Sequence, residues 1–279
     1  MIHVIGDIII DEYWYGKTTR ISPEAPVPIV ELKSKTVSLG GAANVYANIK
    51  SLSDNVQLHG MVEQKYRDHF SNKSNLFVVP KMPVKIRVLS EGHYVTRIDD
   101  EECVDNTKLI HSLQNNKLEG IVFLSDYDKG TLSSPQKIIK QLSNKVIVDP
   151  KISLENYKGA WILKPNRKEF ESYVGKTESI EELTTKAIQA RKELEVDNLI
   201  VTLSEHGVLW VSDKDTLHIP TEAKSVYDVT GAGDTFGAVL AYALDMGYNM
   251  EKALMLANKA SAKAISKQGT YVIQPEDLL

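Results

Sequence analysis

From residue 106 onward the sequence alternates between helix-like stretches and short aliphatic or β-branched runs, and this alternation confines the chain to few folds. A helix over 106–116 precedes the strand Ile121-Val122-Phe123-Leu124. A helix over 134–143 precedes Val146-Ile147-Val148-Asp149. Trp161-Ile162-Leu163 is then followed by helices over 166–174 and 179–193 and by Leu199-Ile200-Val201-Thr202. Such an order implies a mostly parallel sheet covered by helices on both faces. Ligands of these sheets bind outside the carboxyl ends of the strands. Asp11, Ser125-Asp126, Asp149-Pro150-Lys151, Lys164-Pro165-Asn166 and Thr202-Leu203-Ser204 all fall there, which gathers them into one shared site.

The first hundred residues add a second element. Residues 2–10 are β-branched and apolar, as in a buried strand, and end in acids. Tyr13 to Ser38 carries Pro23, Pro26 and Pro28 and then alternates, as an edge strand or flap leaving the main sheet would. Gly40-Gly41-Ala42-Ala43-Asn44 opens a helix to about Leu52, and Val84 to Leu89 with Tyr94 to Ile98 reads as a hairpin. The expectation is one domain over 1–279, with a small sheet from about 12–38 and 84–99 acting as a lid. Helices over 232–246 and 250–266 close the chain.

With 42% hydrophobic and 25% charged residues, 279 residues suffice for one large α/β domain. A net charge of −4 without a long basic run argues against nucleic-acid and membrane-surface partners. Cys103, the only cysteine, excludes an intrachain disulfide, and a cytoplasmic setting is expected. Met1 to Asp7 lacks the features of a signal peptide, and no apolar run reaches a membrane span. The seven histidines show no metal-site spacing, and Asn72-Lys73-Ser74 matches a glycosylation sequon without a secretory signal.

Asp228-Val229-Thr230-Gly231-Ala232-Gly233-Asp234-Thr235 carries the chemistry. Small residues precede the apolar run 236–244, so Gly231 to Gly233 form a helix N-terminus suited to an anion such as a phosphoryl group. Asp234, in the first turn, can take a proton from a hydroxyl attacking phosphorus. By itself the octapeptide also fits a Gly-rich turn. Asn166 and Glu169 share a helix face and can orient hydrated Mg²⁺, although taken without context an N-cap with Glu at N3, a capping box, is the simpler account of them. Lys85 and Arg87, two apart on a strand, face one side and can aim at one anion; Lys129 follows the strand ending at Ser125. Gly16-Lys17-Thr18 and Gly175-Lys176-Thr177 lack the upstream glycine of a phosphate loop, and no Gly-x-Gly-x-x-Gly follows the first strand.

In this order the motifs resemble the PfkB or ribokinase family of sugar kinases: the glycine pair with Asn44, Asn166-x-x-Glu169, and Asp228-x-x-Gly-Ala-Gly-Asp234. Within it the chain is most similar to heptose-7-phosphate kinases, including the kinase half of bifunctional ADP-heptose synthases. That similarity rests on Gly6 to Asp11, Tyr13 to Gly16, Arg20 to Pro28, Lys85 to Ser90, Leu124 to Tyr127 with Lys129-Gly130, and Val148 to Lys151. The resemblance implies a ribokinase-like α/β fold, a mostly parallel sheet sandwiched by helices with a small β-sheet lid. It implies Asp234 as base and Gly231, Ala232 and Gly233 as the anion hole. It further implies Asp11, Gly40, Gly41 and Asn44 as sugar contacts, with Lys85, Arg87 and Lys129 on the substrate's own phosphate. Asn166 and Glu169 would organise Mg²⁺ and ATP phosphates, and Ser204, Gly207, Asn258 and Gly269 would line the nucleotide pocket. Asp228 and Thr230 would help bind a monovalent cation such as K⁺.

The expected reaction is ATP-dependent phosphorylation of the anomeric hydroxyl of a heptose 7-phosphate, giving the 1,7-bisphosphate. Alternatives are another sugar phosphate or a nucleoside as acceptor, or a non-catalytic sugar-phosphate sensor. The resemblance also implies a homodimer through the lid. Two departures stand out. Gly60 is followed by a short polar stretch over 61–75 in place of Gly-x-Asp-x-x-Gly, and no nucleotidyltransferase domain follows Leu279, so that activity is expected to be absent or on another chain.

Overall fold

The computed structural model describes residues 1–71, 74–142, 145–221, 226–267 and 269–279. Asn72 and Lys73 of the sequon and Ser143, the expected end of a helix, lie outside them. Among the described residues the architecture comprises a nine-stranded sheet and a four-stranded sheet. Strands β1 (Ile2–Gly6), β4 (Val56–Val62), β5 (Asn75–Val78), β8 (Ile121–Ser125), β9 (Lys145–Asp149), β10 (Ile162–Leu163) and β11 (Asn198–Thr202) run parallel. The antiparallel pair β12 (Val208–Val211) and β13 (Thr216–Ile219) extends one edge. The order is β13-β12-β11-β10-β9-β8-β1-β4-β5.

Each central strand is apolar on both sides because both faces are covered. Val4, Phe123, Ile147, Ile162 and Ile200 pack with α1 (Ala42–Leu52), α6 (Ala232–Asp245) and α7 (Met250–Ala264). Ile5, Val122, Leu124, Val148 and Val201 point the other way, toward α2 (Thr107–Asn115), α3 (Pro135–Gln141), α4 (Arg167–Val174) and α5 (Ile180–Glu193). The period of two along each strand thus divides one run between two cores. No described helix is long and apolar enough to cross a membrane.

The expected first strand over 2–10 is two strands. It breaks at Asp7, after which β2 (Ile8–Ile21) enters the four-stranded sheet, ordered β3-β2-β6-β7 with β3 (Pro28–Gly41), β6 (Val84–Ser90) and β7 (His93–Asp100). The cause is Asp7 itself. Its buried carboxylate accepts backbone N–H bonds from Tyr127 (2.8 Å), Lys129 (3.2 Å) and Thr131 (3.0 Å), and its carbonyl accepts from Ala42 N–H (2.9 Å). That satisfaction keeps the acid inside and turns the chain from one sheet to the other.

On the far side, His3 Nδ1 lies 3.0 Å from His59 Nε2, and both rings are buried. Burial pulls His3 below its ordinary value and, with His3 adding repulsion, takes His59 down to about 3. The unfolded His59 protonates near 6.5, so the folded state loses stability as pH falls from 7 to 5, by up to about 2 kcal/mol. His59→Gln should flatten that decline in urea midpoints measured at the two pH values. An equally steep decline in the variant would contradict it.

Candidate active site

Helix α6 begins at Gly231, which has φ 76° and offers no side-chain cap. This left-handed conformation, and the 2.7 Å that a Cβ here would leave to Asn44 Nδ2, leave room only for glycine. The first intrahelical bond runs from Thr235 N–H to the Gly231 carbonyl (2.9 Å), and Ala232 N–H reaches the Val229 carbonyl at 3.3 Å. The Gly233 and Asp234 amides thus belong to the first-turn donors that a helix leaves for a cap or an anion.

Asp234 is 3% exposed. Its Oδ2 accepts from Asn44 Nδ2 at 2.9 Å and its Oδ1 from the Tyr127 hydroxyl at 2.7 Å. Burial pushes the carboxyl up to about 7, opposed by those two donors and by Lys164, with Asp149 adding to the rise. A carboxylate poised there exchanges a proton readily near neutral pH. Asn44 is itself oriented: Asn48 Nδ2 donates to Asn44 Oδ1 (3.0 Å), while Asn48 Oδ1 accepts from Ile273 N–H (2.9 Å). This chain of amides turns the Asn44 NH₂ toward Asp234.

Beneath the helix start, Lys164 Nζ pairs with Asp149 Oδ1 at 3.0 Å, with side chains 3% and 17% exposed. A Cβ on Gly233 would come within 3.9 Å of that ammonium. Burial raises the Asp149 carboxyl although Lys164 opposes it.

A cavity of about 550 Å³ opens on one side of the helix start. Ala232, Gly233, Asn166, Ser204, Gly207 and Asn258 line it together with apolar Val226, Val229, Phe236 and Ile265. An apolar slot leading to a helix N-terminus suits a planar base joined to phosphates. Asn44, Asp11 and the glycine pair lie outside that lining, with Asn44 against Asp234 and Gly231. Asp11 Oδ2 would sit 2.6 Å from a Cβ on Gly40, so that glycine makes room for the buried carboxylate. Gly41 is the residue before α1.

Several sequence candidates have partners of their own. Arg87 forms an ion pair with Asp11, and its guanidinium lies 5.4 Å from the Tyr13 ring centroid. Lys129 Nζ pairs with Glu101 at 2.5 Å, whereas Lys85 is partly buried on the Arg87 face of β6. Asn166 and Glu169 form a capping box for α4: Asn166 Oδ1 accepts Glu169 N–H and Glu169 Oε2 accepts Asn166 N–H, each at 2.9 Å. Glu169 Oε1 lies 3.9 Å from Lys151 Nζ. Asp228 Oδ1 and Oδ2 accept N–H bonds from Thr230 and Gly269, each at 2.9 Å. Gly269 therefore sits with Asp228 and beside the Tyr13 hydroxyl, whose distance from a Cβ at Gly269 would be 3.2 Å. Among the described residues no group of three His, Cys, Asp or Glu is arranged to hold a metal ion.

No sequence pattern assigns a role to Tyr127, Asn48, Asp7 or Tyr13. The available signals were slight: an acid inside an apolar run for Asp7, and a tyrosine two residues past a strand end for Tyr127. Lys164 and Asp149 stood among the strand-end residues without a function.

The sequence matches the model of the pfkB family carbohydrate kinases over residues 88–277. It is 41% identical over 295 residues to the bifunctional protein HldE of Psychromonas ingrahamii, and 39% identical over 297 residues to HldE of Vibrio parahaemolyticus. In both cases the alignment covers 99% of this chain and 62% of the relative, so the chain spans less than two thirds of those proteins' length. Its structure superposes on ribokinase from Thermotoga maritima with a TM-score of 0.77 at 21% identity, covering 99% and 97% of the two chains. Phosphofructokinase-2 from Escherichia coli in complex with potassium gives 0.81 at 16% identity, covering 100% and 96%. These superpositions establish the ribokinase-like fold.

Removing one partner of the pair beneath the helix should be costly. Lys164→Met is expected to lower stability by about 3–5 kcal/mol in chemical denaturation, most of it regained in the Lys164→Met, Asp149→Leu double variant. A double variant as unstable as the sum of both singles would show that the two side chains are not coupled.

Proposed function

Because this chain belongs to the pfkB family of carbohydrate kinases, we propose that it transfers the γ-phosphoryl group of ATP to the anomeric hydroxyl of a heptose 7-phosphate. The observation that carries the reading is the buried Asp234 carboxylate at the start of α6, between the apolar cavity and the Asp11–Asn44 side. Asp234 takes the proton of the sugar hydroxyl as its oxygen bonds to the γ-phosphorus. The bond from that phosphorus to the bridging oxygen breaks, and ADP leaves with the electron pair. The Gly231 to Gly233 segment faces the charge spread over the transferring group, and Lys164 adds a fixed cation below it.

ATP occupies the cavity lined by Ser204, Gly207 and Asn258, with Gly269 at the Asp228 end of the helix start. Mg²⁺, when bound with the nucleotide, supplies neutralisation of phosphate charge. Since Asn166 and Glu169 are engaged with each other, the fit is through water, Glu169 Oε1 being the oxygen outside the capping box. Asp228 keeps lone pairs beyond its two N–H bonds, and with Thr230 would contact a monovalent cation such as K⁺.

The substrate class is supported by the 41% identity to HldE and by the heptose-kinase-like N-terminal third. Asp11, Gly40, Gly41 and Asn44 meet the sugar; Lys85, Arg87 and Lys129 meet its 7-phosphate, which would take over Lys129 from Glu101. In this reading residues 1–279 act as one kinase domain in the cytoplasm. The four-stranded sheet is its lid, and the exposed apolar residues Ile21, Leu32, Val37 and Ile98 on that sheet, with Val27 in the turn joining β2 to β3, pair two copies into a dimer.

A coupled ADP-release assay over heptose 7-phosphate, hexose phosphates, unphosphorylated sugars and nucleosides tests the proposal. Heptose 7-phosphate should give the highest kcat/KM, and Asp234→Asn should lower turnover by at least about a thousandfold while retaining sugar binding. Preference for an unphosphorylated acceptor would remove the phosphate role of Lys85 and Arg87. Near-normal turnover in Asp234→Asn would remove the base, and absence of acceptor-dependent ADP release would leave a sensor.

A further inference from the structure

We propose that Tyr127 is a positioning residue for the proton acceptor, its hydroxyl aiming the Asp234 carboxylate, and that Asp7 sets Tyr127 in place by fixing the backbone of residues 127–131. The inference rests on the reading of Asp234 as base and deepens it.

Three observations carry it. Tyr127 and Asn44 each donate to a different oxygen of the same carboxylate, at 2.7 and 2.9 Å. Each oxygen keeps a second lone pair, so both donors can remain while a sugar hydroxyl binds. The carboxylate is clamped by donors from two separate elements, α1 and the loop after β8, one on each oxygen, which fixes the direction of the remaining lone pairs.

The loop bearing Tyr127 is built to hold still. Asp7 accepts the N–H groups of residues 127, 129 and 131 with its two oxygens, and it is 1% exposed. Asp126 adds a second anchor, accepting Asp128 N–H at 2.8 Å and the Tyr157 hydroxyl at 2.7 Å. Asp128 and Gly130 both have positive φ, 57° and 102°, a tight path that such carboxylate anchoring maintains. A loop needed only to join β8 to α3 requires none of this.

The charges facing Asp234 from the packed elements are Asp149 on β9 and Lys164 beyond β10, which act in opposite senses and hold each other. Asp11 of β2 acts on Tyr127. Burial and the neighbouring carboxylates keep the tyrosine hydroxyl protonated far above neutral pH, so it serves as a donor throughout the working range. A donor to the carboxylate favours its charged form, and removing it moves the Asp234 titration upward.

The test is the pH profile of kcat/KM for Tyr127→Phe, which keeps the ring and deletes the hydroxyl. The acidic limb should move up by about one pH unit relative to the unaltered enzyme, with KM for ATP within about twofold. Asp7→Asn offers one acceptor oxygen to three amides and should move the limb the same way. Combining the two should move it no further than the larger single shift. ¹³C-carboxyl titration of the free enzyme, with the Asp234 signal assigned by its loss in Asp234→Asn, should show the same upward shift in Tyr127→Phe without relying on turnover. An unmoved limb and an unmoved carboxyl titration in Tyr127→Phe overturn the proposal even where Asp234→Asn is inactive. Full turnover in Asp234→Asn overturns the base assignment itself, a distinct outcome.

Discussion

The rest of the site depends on one buried carboxylate and on how its burial is offset. An aspartate this enclosed at a helix start would surrender its charge unless donors met it, and residues 44, 127 and 234, far apart in sequence, supply that meeting. Asn44 comes from α1, Tyr127 from the loop after β8, and the helix dipole from α6 itself. Both helices pack on the parallel sheet, and the loop continues directly from its strand β8. Moving any of them by an ångström would break a bond of 2.7 or 2.9 Å and leave the carboxylate unsatisfied in a buried place.

Asp7 ties this arrangement to the second sheet. Where the chain leaves β1 for β2, its carboxylate holds the 127–131 loop while its carbonyl holds the first amide of α1. The two donors to Asp234 are therefore referenced to a single residue. Asp11, four residues beyond Asp7 on β2, carries the Arg87 pair into the same region, so the small sheet and the Asp234 carboxylate share a frame. The apolar cavity on the far side of α6 adjoins this frame through Ala232 and Gly233.

The alternation of apolar runs made the parallel sheet and its covering helices legible, because strands buried on both faces have no polar side to confuse the reading. The Gly231 to Asp234 helix start was legible for a similar reason: few other contexts call for that density of small residues before an apolar helix. The break at Asp7 was not, since residues 2–10 are as apolar as one continuous strand and only the distant 127–131 amides make the turn favourable. Tyr127 escaped for the same reason, its role lying in a contact 107 residues away. Asn166-x-x-Glu169 was ambiguous between capping box and ligand pair, and the capping box is what forms. The cations Arg87 and Lys129 read as a common phosphate site, yet their counter-ions Asp11, on β2, and Glu101, just after β7, are distant in sequence and only the fold reveals them.

In the proposed reaction Asp234 activates the anomeric hydroxyl of a sugar already phosphorylated at its far end. ³¹P NMR of the product formed from ATP and heptose 7-phosphate tests it most directly. One new phosphomonoester signal coupled to the anomeric proton is expected, with the original 7-phosphate signal retained. A new signal coupled to any other ring proton, or phosphate appearing only as the inorganic ion, would contradict it.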